Sequence, residues 1–145
     1  MKIGGPFLIA ALFCEKVLHE KDGVLSLIRV VDRFTHTNTP DKMPAFPIQI
    51  SILLGFRSGD VKGKQEVVIN PIAPSGKTLP KISLPVLFEG ADQGANLNIT
   101  YAFVAEEEGL YWFDIILNGK SITKMPLRII YQKTQTAGGT DQPLQ

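Results

Sequence analysis

The chain has 145 residues, 44% of them hydrophobic and 20% charged, enough for one domain with a real apolar core. Its formal net charge of +1 gives no electrostatic reason to expect nucleic acid or an anionic membrane as a partner. A single cysteine, Cys14, excludes an internal disulfide framework and suits a reducing, cytoplasmic setting.

In chain order, Phe7 to Leu18 reads as a first strand. The apolar run from Phe7 to Phe13 follows Lys2, as the core of an export leader would. Phe13, however, stands where cleavage before Cys14 wants a small residue, so a strand is expected. No stretch reaches the roughly 20 apolar residues that a transmembrane helix needs. Glu20-Lys21-Asp22-Gly23 is a turn. Val24 to Phe34 returns as a second strand, forming either a hairpin or a sheet-switching pair with the first. Thr35 to Phe46, marked by Pro40 and Pro44, reads as a long loop.

Pro47 to Arg57 alternates most cleanly. Ile48, Ile50, Ile52, Leu54 and Phe56 share one face; Gln49, Ser51, Leu53, Gly55 and Arg57 share the other. Ser58-Gly59-Asp60 turns the chain, and Gln65 to Asn70 forms a strand ended by Pro71. Ile82, Leu84, Val86 and Phe88 alternate with Ser83, Pro85 and Leu87. Pro85 has no N–H, which places that strand at an edge. Leu97, Ile99, Tyr101 and Phe103 alternate with Asn96, Asn98, Thr100 and Ala102.

Glu107 to Tyr131 is the most specific stretch. Asn118-Gly119 is the pair that a two-residue type I′ hairpin turn demands, because both central residues need positive φ. Before it, Tyr111, Phe113, Ile115 and Leu117 alternate with Trp112, Asp114 and Ile116. Pro126 interrupts the returning strand, which predicts an edge or a bulge there. Residues 1–131 are assigned to one domain of about eight strands with no 3.6-residue period, and the polar residues 132–145 to a flexible tail.

Glu107-x-Gly109-x-Tyr111-x-Phe113 resembles the immunoglobulin-fold pattern of acid, Gly, Tyr and Cys at alternate positions. The resemblance implies a single all-β, Ig-like antiparallel β-sandwich with Gly109, Tyr111 and Phe113 at a tyrosine corner. Phe113 stands where the cysteine would be, so no inter-sheet disulfide follows. Tyr111 is expected to bury its ring and send its hydroxyl to an upstream backbone group. The whole layout is also similar to a small family of uncharacterised bacterial and phage-associated proteins, over about residues 7–131. Ser26-Leu27-Ile28 in the opening strand pair and the Glu108-Gly109-x-Tyr111-x-Phe113 hairpin, ending in Pro126-Leu127, carry that likeness. It implies the fold and brings no activity and no site residues.

Catalytic and metal chemistry finds little footing. Ala73-Pro-Ser-Gly-Lys-Thr78 looks like the end of a phosphate-binding loop, but Pro71 stands where the first glycine belongs, and Leu79-Pro80 follows in place of a helix. Cys14, His19 and His36 lack the close spacing of zinc ligands, and no Gly-x-Ser-x-Gly elbow presents a serine nucleophile. Glu106, Glu107 and Glu108 with Asp92 are candidate calcium ligands if they gather at one end, against simple solvation. The chain is therefore read as a non-enzyme with no cofactor and no metal. If Tyr111 and Phe113 face inward, Trp112 and Ile116 face outward as a candidate interaction surface. The expected partner is a protein, a second copy of the chain included; the alternative is a carbohydrate- or other ligand-binding module.

Overall fold

The structure, a computed structural model, describes residues 2–134. Among the described residues there are nine strands and no helix: β1 (Phe7–His19), β2 (Leu25–Val31), β3 (Arg33–Asn38), β4 (Phe46–Arg57), β5 (Lys62–Ile72), β6 (Ile82–Glu89), β7 (Gly94–Ala105), β8 (Gly109–Leu117) and β9 (Lys120–Lys133). They form two sheets, ordered β2-β1-β4-β7 and β3-β9-β8-β5-β6. The first sheet sets β1, β4 and β7 side by side as strands A, B and E of an immunoglobulin domain. The second sets β5, β8 and β9 as C, F and G, with β6 beside C as in variable-type domains. The fold is thus the expected all-β, Ig-like sandwich without a disulfide.

The number of strands and one pairing differ from expectation. Val24 to Phe34 is not one strand. Val31 pairs with Phe13 in the first sheet, whereas Arg33 pairs with Arg128 in the second. Asp32 is the switch, and its carbonyl accepts the Arg128 N–H at 3.0 Å. The chain therefore stays extended through Thr35 to Asn38, which the sequence reading assigned to a loop, and β3 runs parallel to β9. His36 is anchored there by stacking on Phe46, with ring centroids 3.9 Å apart. Beside it, β9 continues past residue 131 to Lys133, which pairs with Asn38. The tail assigned to 132–145 otherwise lies outside the described residues.

Prolines behave as their missing N–H requires. Pro85 sits on β6, an edge strand. Pro126 lies opposite Trp112, two residues before Arg128, whose N–H points away from β8 toward Asp32. By the period of two, Pro126 turns its nitrogen to the same side, and there β3 has not yet begun to pair. The irregularity in the β8–β9 pair falls instead between Ile115 and Ile116. The hairpin turn has the expected conformation, with φ of 51° at Asn118 and 84° at Gly119.

The core lies between the sheets. Ile48, Ile50, Ile52, Leu54 and Phe56 of β4 face Val67, Ile69, Tyr111, Phe113, Ile115, Leu127 and Ile129 of the second sheet. Phe113, fully buried, takes Phe13 edge-on at 5.0 Å, Tyr101 at 5.6 Å and Phe103 at 6.2 Å. Aromatic pairs with this geometry add about 0.5–1.5 kcal/mol each beyond their burial. Phe113 stands at the place of the strand-F cysteine of antibody domains, and its ring contacts tie β8 to β1 and β7 across the sandwich.

Candidate interaction face

The turn between β7 and β8 fixes which way β8 points its side chains. Tyr111 is 1% exposed. Its hydroxyl donates to the Glu107 carbonyl at 2.7 Å and accepts the Glu107 N–H at 3.3 Å. This is a closed tyrosine corner, and burial pushes the phenol pKa up. Glu107 is held from its other end too: its carboxylate accepts the Ser75 N–H at 3.0 Å and the Ser75 hydroxyl at 2.7 Å. Lys77 meets Glu106 at 2.8 Å. The segment that looks like part of a phosphate loop is therefore a turn between strands, and its Ser75 holds a carboxylate of the same chain.

With Tyr111 and Phe113 turned inward, Trp112 and Ile116 lie on the outer face of the five-stranded sheet. Trp112 is 41% exposed, and Ile116 is half-buried. Cross-strand register supplies their neighbours. Trp112 has Ile72 on one side and Pro126 on the other. Ile116 has Val68 and Ser121. Between these apolar groups runs a polar row, Asn70, Asp114 and Lys124, in which Asp114 accepts the Ser121 hydroxyl at 2.5 Å. A depression of about 270 Å³ is lined by Ile72, Trp112, Asp114 and Lys124. Sequence reasoning named Trp112 and Ile116 but missed Ile72, Val68 and Pro126, because only the register brings them beside β8.

The acidic cluster does not assemble. Asp92 lies before the first residue of β7 and Glu106 just beyond its last, so the strand's full length separates them. Asp92 pairs with Arg57 at 2.6 Å. Among the described residues no group of three or more His, Cys, Asp or Glu side chains is placed to hold a metal ion. Cys14 is fully buried, and burial raises its thiol pKa, which disfavours the thiolate. No helix among the described residues is long and apolar enough to cross a membrane.

A family described as of unknown function, DUF6941, matches residues 9–130. Comparison with curated proteins gives no match. Among solved structures, a β-glucosidase from Listeria innocua is similar over 72% of this chain, with 8% identity and a TM-score of 0.44; the match spans 15% of that protein. An immunoglobulin-like protein from Pseudomonas aeruginosa is similar over 88% of this chain and 94% of its own length, with 10% identity and a TM-score of 0.38.

Proposed function

The chain belongs to the DUF6941 family of unknown function, and from that premise we propose that it is a non-enzymatic protein-interaction or assembly module. Its contact surface is the outer face of the five-stranded sheet around Trp112 and Ile116. One observation carries this reading: the only tryptophan of the chain is 41% exposed on a rigid central strand, between Ile72 and Pro126. A fold gains nothing by leaving its largest apolar side chain in water, whereas an interface gains most from one. The polar row of Asn70, Asp114 and Lys124 supplies the directional contacts that such a patch needs at its rim. The modest net charge points to protein rather than nucleic acid or an anionic membrane, and the single buried cysteine suits the cytoplasm.

Trp112→Ala separates binding from folding. It should cost no more than about 1–2 kcal/mol, well below the 3–5 kcal/mol of a fully buried aromatic ring, because neighbours cover the indole only in part. It should weaken a partner contact at least about tenfold. The check is unfolding of both proteins in urea beside quantitative co-purification from cell extract. A partner held equally by both proteins, or a variant that unfolds much earlier, would refute the assignment.

A second reading has its own observation. The depression beside Trp112 joins an aromatic face to the carboxylate of Asp114 and the ammonium of Lys124, the combination that holds a sugar ring. Binding to a glycan array that disappears with Trp112→Ala would favour carbohydrate over protein.

A further inference from the structure

Edges of sheets are where chains meet, and three of the four outer strands here are blunted. β6 carries Pro85. β3 has only six residues and opens with Arg33. On β2 the ladder breaks at Arg29, whose φ is +52°. Even the stretch of β9 that β3 leaves uncovered holds Lys124 and Pro126. β7 has no such device. Over twelve residues, from Gly94 to Ala105, it contains no Asp, Glu, Lys, Arg or Pro.

One side of β7 is fully used. Every residue from Gly94 to Ala105 pairs with β4. The other side is the outer limit of its sheet, and among the described residues no backbone hydrogen bond reaches it. The pairing also tells which groups it offers. Pro47 stands opposite Val104 and has no N–H to exchange, so this is a pair without mutual hydrogen bonds. By alternation, Asn96, Asn98, Thr100, Ala102 and Val104 turn their N–H and C=O groups to the free edge. Their side chains are all exposed and all uncharged.

We propose that this edge pairs antiparallel with the same edge of a second copy across a two-fold axis, joining the two four-stranded sheets into one continuous sheet. The inference goes beyond the Trp112 face: it adds a second contact surface, on the other sheet, with this chain itself as the partner. The occupant follows from the charge pattern. A two-fold axis at Thr100 sets Thr100 against Thr100, Asn98 against Ala102 and Asn96 against Val104, with no like charges opposed. Threonine pairs are favourable in such ladders. Val104 is 54% exposed and, with Pro47, Gln49 and Ala102, borders a shallow apolar depression of about 420 Å³.

The test is sedimentation of the full chain over a concentration series, with a charge swap at the axis. The native protein should sediment as two chains. Thr100→Lys and Thr100→Glu should each lose the two-chain species, because each sets like charges face to face, and an equal mixture of the two should regain it. Both variants should melt with the same two-state shape as a monomeric sandwich, since Thr100 is exposed. Trp112→Ala should leave the dimer intact. A native protein that stays monomeric throughout, or a dimer indifferent to Thr100→Lys, overturns the proposal. So does a dimer lost on Trp112→Ala, although that result would uphold the sheet face as an interaction surface. A monomer whose other contacts fail with Trp112→Ala likewise refutes only the β7 pairing.

Discussion

Phe113→Ala is expected to cost about 3–5 kcal/mol of folding stability, the range for removing a buried aromatic ring. The cost has two sources. The ring is fully buried in the middle of β8, so its removal leaves a cavity that packed neighbours refill only in part. It also deletes three edge-to-face contacts, to Phe13, Tyr101 and Phe103, which tie β1 and β7 of one sheet to β8 of the other. A loss of this size is a large share of the total stability of a domain. It should appear as a much lower urea midpoint with an unchanged slope. A shift worth less than about 1 kcal/mol would mean that the cluster does not clamp the sheets.

Gly109→Ala is the second large effect. Gly109 has φ of +126°, a conformation that side chains avoid and that costs on the order of 1–3 kcal/mol when forced. An added Cβ would also stand 3.0 Å from Pro74 Cγ, in the turn that Glu107 holds through Ser75. Gly63→Ala is the control. Its φ is similar, +111°, but nothing lies within 4 Å of the added carbon. Gly109→Ala should therefore be the more destabilising of the two, by the cost of displacing Pro74. Equal losses would show that the contact between the two turns contributes nothing.

Much of this fold is legible in the residues because alternation is a local signal. β4, β7 and β8 each write their two faces directly, and Asn118-Gly119 fixes the hairpin between β8 and β9. The inward turn of Tyr111 and Phe113 follows from the same rule, and with it the outward turn of Trp112. The break at Asp32 is different. Val30, Val31 and Phe34 look like one apolar strand, and only the Arg128 N–H on β9, which the Asp32 carbonyl accepts, decides that the chain changes sheets. β3 was hidden for a related reason. Phe34 and His36 do alternate with Thr35 and Thr37, but a histidine among threonines reads as polar until its stacking on Phe46 is seen. The neighbours of Trp112 are invisible for a third reason: Ile72 and Pro126 belong to other strands, and register between strands is not written in either one alone. The acidic cluster near Glu107 looked available because its partners, Ser75 and Lys77, lie about thirty residues away in sequence.

Recognition through the outer face of the five-stranded sheet depends on one side chain above all. Trp112 is the only indole in the chain, so intrinsic fluorescence reports on it without ambiguity. The folded protein should emit only slightly to the blue of the urea-unfolded chain and be open to acrylamide quenching, in the monomer and in a dimer joined through β7 alike. An emission strongly shifted to the blue, with the quencher shut out, would place Trp112 inside the protein and contradict the assignment of this face to a partner.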